Sequence, residues 1–166
     1  MSILGFFRSS EDKRGLVLLR TVREHMPDAA DEDVKIVASI VGLLGQVAVV
    51  DRPYLPVEEA RIRAVLEDVR GVGRAGVDAI VATLRASIVN IAELEAREYA
   101  RFLRELADRD LRLHVLDLLL DVAAADERVS VAEVNHLRRL TDVLGLTQDD
   151  YVASQARHRD KLVGLS

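Results

Sequence analysis

The sequence predicts an all-α protein, a compact bundle of about eight helices, and three observations carry that reading. The 166 residues are 49% hydrophobic but only 4% aromatic, with Leu, Val, Ile and Ala supplying the apolar mass. Such side chains suit helices that pack ridges into grooves. Ala, Leu, Glu and Arg, all strong helix formers, dominate the chain, and only three prolines interrupt it. Finally, one segment occurs twice. Gly42–Val69 (GLLGQVAVVDRPYLPVEEARIRAVLEDV) and Asp117–Leu144 (DLLLDVAAADERVSVAEVNHLRRLTDVL), slid by 75 residues without a gap, share seven identities in 28 positions. Unrelated sequences would share roughly two. The repeat pairs Asp51 with Asp126 and Glu58 with Glu133, and it keeps Ile62/Leu137, Val65/Leu140 and Val69/Leu144 in step.

Ser9-Ser10-Glu11-Asp12 reads as a helix start, with hydroxyls to cap and acids at the positive end of the dipole. The helix it opens runs to about His25 and stops before Pro27. Asp28 to Asp33 is a second acidic start, feeding a long apolar helix that ends near Val50. The turn Asp51-Arg-Pro-Tyr-Leu-Pro56 places Pro56 where a first helical turn tolerates it, and the next helix reaches about Arg70. Gly71-Val-Gly73-Arg-Ala-Gly76 breaks the pattern before a helix through Asp78–Ser87. A long amphipathic helix then covers about Asn90–Ala107, with Ile91, Leu94, Tyr99, Phe102, Leu103 and Leu106 as its apolar stripe. The second repeat supplies helices at about Leu111–Ala125 and Val131–Leu144. Gly145 is a C-cap, and Thr147-Gln-Asp-Asp150 caps a last helix to about Lys161. The length suits one domain with a substantial core. We therefore expect a short segment, 1–10, and a single domain, 11–166, whose repeat units (about 33–70 and 111–145) pack with pseudo-twofold symmetry.

Composition removes several functions. Without cysteine there are no disulfides, thiolate metal sites or cysteine nucleophiles, which fits a reducing compartment. A net charge of −5 argues against a nucleic-acid binder and favours cations or basic partners. Met1–Ser10 has too short an apolar stretch for a signal peptide. The longest apolar window, Ile36–Val50, falls short of the roughly 20 residues of a membrane span, so a buried core helix is expected in a soluble, cytoplasmic protein. Membrane association would then be indirect or made through the N-terminal segment.

The glycines of Gly71-Val-Gly73-Arg-Ala-Gly76 spell the dinucleotide fingerprint, but a helix precedes them and no sheet is in prospect, so they read as a helix–helix connection. Arg97, Arg101 and Arg104 form a helical row interleaved with Glu93, Glu95, Glu98 and Glu105, a salt-bridged surface. His114, Asp117 and Asp121 share a helix face, which admits a His/Asp metal site but more simply makes a solvated side. His25, His136 and His158 stand isolated on polar, charged stretches without zinc-hydrolase spacing. Neither a nucleophile motif nor a phosphate loop is present, so no enzyme is expected.

The Asp/Glu pairs are the serious candidates. Asp51 with Glu58, and Asp126 with Glu133, each straddle a helix–loop–helix corner. Carboxylates seven residues apart across such a turn can converge on one hard cation with loop carbonyls. The same residues also read as caps, because Ser130-Val-Ala-Glu133 is a capping box and Asp126 can bond amides of its own turn. Neither loop has the twelve-residue spacing of an EF-hand.

The phrase Leu118-Leu-Leu-Asp-Val-Ala-Ala-Ala-Asp126-Glu-Arg-Val-Ser130-Val-Ala-Glu133, with Leu137-Arg-Arg-Leu140 and Leu144-Gly145-Leu146 after it, resembles the tellurite-resistance TerB family. That family also includes the TerB-like domain of a DnaJ-type co-chaperone. The resemblance covers about Asp33 to Lys161. It implies an internally duplicated helical bundle, a role in bacterial stress responses, and links to metal ions and membrane-associated complexes. Carried over by position, Asp51, Glu58, Asp126 and Glu133 would form an acidic surface for an ion or partner. Two departures stand out. The glycine usual after the motif's Asp is Glu127 here and Arg52 in the first copy, which alters the turn and can weaken or abolish ion binding. Leu55 stands where Ser130 stands in the second copy. The expected function is a non-enzymatic stress-response module presenting paired acidic corners to a divalent cation, its one candidate cofactor, or to a basic protein partner. The alternative is a purely structural interaction domain, where the acids only cap helices and an apolar groove or Ile3–Phe7 docks the partner.

Overall fold

The computed structural model describes residues 15–126 and 129–163, and the described chain is helical with no strand. Eight α-helices follow in order: α1 (Val17–His25), α2 (Asp31–Ala48), α3 (Pro56–Glu67), α4 (Gly73–Asn90), α5 (Ala96–Leu106), α6 (Arg109–Ala123), α7 (Val131–Val143) and α8 (Gln148–Val163). A π-helical turn, Ile91–Glu95, joins α4 to α5. The expected helix start at Ser9–Asp12, the Ile3–Phe7 segment and Glu127 lie outside the described residues; the helix expected to run unbroken from that start to His25 instead begins at Val17, behind Gly15 at φ +72° and an extended Leu16.

Helix α2 is the axis of the bundle and packs against α1, α3, α4, α5, α6 and α7. Its sequence explains why. Val34, Val37, Val41, Leu44 and Ala48 bury one face, while Ala38, Leu43 and Val47 bury another, so the helix is apolar nearly all round. Gly42 and Gly45 let neighbours come close: a Cβ on Gly42 would meet Tyr99 Cδ2 at 2.3 Å, and one on Gly45 would meet Leu84 Cδ1 at 2.6 Å. Helices α5 and α4 are thereby seated against the axis.

The ends follow local chemistry. Pro56 opens α3, and the Asp108 carboxylate accepts from the Leu111 amide at 2.8 Å to open α6. Gly145 takes φ +72° behind α7. Thr147 and Asp150 cap α8 reciprocally, the Thr147 N–H donating to Asp150 at 2.9 Å and the Asp150 N–H to Thr147 Oγ1 at 3.1 Å. Gly71 and Gly73, at φ +90° and +68°, make the connection into α4, as a helix–helix link requires.

The apolar stripe expected for Asn90–Ala107 is corrected at one position. Ile91, Tyr99, Phe102 and Leu103 are buried, but Leu94 is 74% exposed and Glu95 is buried instead. The cause is the π turn, whose wider winding shifts the helical phase between Ile91 and Ala96. Glu95 turned inward accepts three hydrogen bonds, from Val17 N at 2.9 Å, Tyr99 Oη at 2.7 Å and Asn90 Nδ2 at 3.1 Å. It thus caps the start of α1 from across the bundle. By length and composition Gly73–Leu106 could cross a membrane, with 39% of its most apolar window buried within this fold.

Candidate functional site

Both acidic corners are built alike. In each, a helix of the core ends, an Asp follows, and a Glu occupies the third position of the next helix. Glu58 Oε2 accepts from the Leu55 N–H at 2.9 Å, and Glu133 Oε2 accepts from the Ser130 N–H at 2.7 Å. The second corner completes a capping box, since the Glu133 N–H donates to Ser130 Oγ at 3.0 Å. Leu55 cannot return that bond. Both glutamates are fully shielded from solvent, so they act as caps and cannot form an exposed acidic surface. Asp51, by contrast, is exposed.

The fold brings the two corners together through Arg52. Its Nη1 donates to Asp126 Oδ2, its Nη2 donates to Glu133 Oε1 at 2.9 Å, and Nη2 stands 3.5 Å from Glu58 Oε1. Each glutamate therefore divides its oxygens, Oε2 to its own helix start and Oε1 to the guanidinium. Glu58 Oε1 is buried and has no hydrogen bond, only that ion-pair contact. The ion pairs are sheltered: the Arg52 side chain is 22% exposed and that of Asp126 15%.

Burial pushes the Glu58 carboxyl above the ordinary carboxylate range, against the Leu55 N–H and the Arg52 charge, while Asp126 and Glu133 add to the rise. Glu133 is raised in the same way, opposed by Ser130 and Arg52 and pushed further by Asp51. For Arg52, burial disfavours the charge, but the hydrogen bond to Asp126 and the charges of Glu133, Asp126 and Glu58 outweigh it and raise the guanidinium. Glu58, Asp126 and Glu133 thus share Arg52 as their cation, and Asp51 adds its charge beside Glu133.

The other candidates are placed as ordinary surface or as core. Asp117 accepts from Ser154 Oγ and from Arg157 Nη2 at 2.6 Å, Asp121 pairs with Arg61 at 3.5 Å, and His114 is exposed. Arg101 pairs with Glu98 and Glu105 as the row predicted, whereas Glu95 belongs to the interior. His136 and His158 depart from the polar setting expected of them, since each is only 9% exposed. The His136 ring meets Gln46 Oε1 at 3.0 Å, and burial, with Arg139 nearby, pushes its pKa down to about 4. His158 Nδ1 lies 2.9 Å from its own helix's Ser154 carbonyl.

The three inward carboxylate oxygens that a divalent ion would need meet a guanidinium instead. Among the described residues no group of three or more His, Asp or Glu side chains is arranged to hold a metal. As built, the corner does not fit a divalent cation.

An all-α bundle that closes two glutamate-capped helix starts around one arginine is the class that fold and site define. The family model described as tellurite resistance protein TerB matches residues 37–156, more than half of the chain and both Asp/Glu pairs. The chain belongs to the TerB family. That family is all-α and is not a known enzyme family. Comparison with curated proteins and with solved structures finds no match.

Proposed function

We propose that the chain is a non-enzymatic, cytoplasmic stress-response module of the tellurite-resistance type, built by internal duplication, that acts by binding a basic protein partner. Membership of the TerB family supports the stress role. One observation carries the choice of partner. Of the two ligands expected from the sequence, a divalent ion meets a cation position already filled by Arg52, which leaves the protein. Around that filled core stand one exposed acid and two exposed apolar side chains. Asp51 is exposed, and the two helix starts that Arg52 joins carry Val57 and Val131, 40% and 77% exposed. Such a rim suits a partner with a basic residue beside an apolar one.

A second reading is a purely structural interaction domain, favoured by the two Glu Oε2 bonds to Leu55 and Ser130. Tellurite survival separates the two. Cells of the native host lacking the chain are complemented with wild type or with Asp51→Lys/Val131→Asp, and melting of the purified variant is measured alongside. Lost protection with an unchanged melting temperature is the expected result. Full protection by the variant would remove this rim from the function.

A further inference from the structure

The acidic corner contains a problem that a cation solves. Two glutamates are fully buried, and a carboxylate taken out of water without a compensating charge is strongly disfavoured. Each glutamate spends Oε2 on a helix start, so Oε1 remains to be satisfied. Those two oxygens and Asp126 Oδ2 point at a common place, and the Arg52 guanidinium stands there. A planar fork with five donors reaches three carboxylates where a point charge would need to be centred among them. Two of the carboxylates lie 74 and 81 residues away from Arg52 in sequence, so the contact joins the first corner to the second.

From this we infer that Arg52 is the resident cation of the corner. Its guanidinium takes the position between Glu58, Asp126 and Glu133, so that the two corners are joined without a metal ion. A divalent ion gains access only when that side chain is removed. The residual buried oxygen, Glu58 Oε1 with no hydrogen bond, marks where coordination capacity is left. Adding a metal beside the guanidinium would place like charges within a few ångströms in a sheltered site, which opposes binding. Removing the side chain leaves three sheltered carboxylates without their counter-charge, which a cation carrying its own waters can then supply. This inference concerns how the corner is held and is independent of the partner reading, since either can fail alone.

The test is thermal unfolding of the EDTA-treated full chain, wild type and Arg52→Ala, with millimolar Mg²⁺, Ca²⁺, Mn²⁺ or Zn²⁺ and, separately, millimolar guanidinium. The wild type should melt at the same temperature in every condition. Arg52→Ala should melt lower in EDTA and regain roughly 5–10 °C with at least one divalent ion or with guanidinium, as a site filled well above its dissociation constant does. Sodium at equal ionic strength should not restore it. A wild type stabilised by a divalent ion overturns the inference, and so does an Arg52→Ala chain as stable as wild type or restored by no cation. If Arg52→Ala does not fold, Arg52→Lys replaces it. Lysine keeps one charge but loses the fork, so partial stability that no divalent ion improves supports the inference, and a metal-dependent wild type still overturns it.

Discussion

Lowering the pH should loosen the fold through His136. The ring is buried on α7 against Gln46 of α2, and its pKa lies at about 4 instead of 6.5. Between those two values the unfolded chain binds a proton that the folded chain refuses, so stability rises with pH across the window. The contribution is complete above about pH 6.5 and is lost as pH falls toward 4. At about 1.4 kcal/mol per pH unit, the span from 6.5 to about 4 is worth about 3 kcal/mol, and about 2 once water at the ring's exposed edge is allowed for. Glu58 and Glu133 act in the opposite sense. Their carboxyls are raised by burial, so the folded state holds those protons more tightly and acidification favours it. Comparing wild type with His136→Gln isolates the histidine, since glutamine keeps a hydrogen-bonding group facing Gln46 and does not titrate. Urea unfolding at about pH 7 and about pH 4.5 should show wild type losing about 2 kcal/mol more than the variant. Equal losses in the two proteins would refute the reasoning.

Three further outcomes follow from the packing. Gly42→Ala should cost about 1–3 kcal/mol by overpacking, because its Cβ would meet the Tyr99 ring at 2.3 Å; the fall in melting temperature measures it. Ser130→Ala removes the acceptor of the Glu133 N–H and should cost about 0.5–2 kcal/mol in urea unfolding, while the reverse bond from the Ser130 N–H survives. Glu95→Ala strips the partners of Val17 N and the Tyr99 hydroxyl and should cost about 1–3 kcal/mol for each group left buried and unpaired. Hydrogen exchange of the Val17 amide should quicken at the same time.

The helices were legible because their signals are local. Pro56 at a first turn, the Ser130/Glu133 box, the Thr147/Asp150 pair and Gly145 each act within a few residues of the element they bound. The stripe on Asn90–Ala107 failed at Leu94 because a π turn shifts phase, and the bond from Val17 to the inward Glu95 spans 78 residues. No window of periodicity contains it. His136 was hidden by Asn135, Arg138 and Arg139, all polar neighbours. Its place one residue before Leu137 on the buried face of α7 becomes evident only once Gln46 lies opposite.

Arg52 shows a different limit. Read as a sequence, the two corners look equivalent, and seven identities invite the conclusion that each holds its own ligand. The fold breaks that equivalence at one residue. Arg52 and Glu127 occupy matching positions in the repeat, yet they carry opposite charges. The first corner therefore supplies the cation, and the second supplies two of the three carboxylates that receive it. A departure from the family pattern that reads locally as damage to an ion site is, in space, the group that satisfies it. These contacts span 74 and 81 residues, so they form only when both halves are docked. The acids that cap each helix start alone thus become, through one arginine, the tie between α3 and α7.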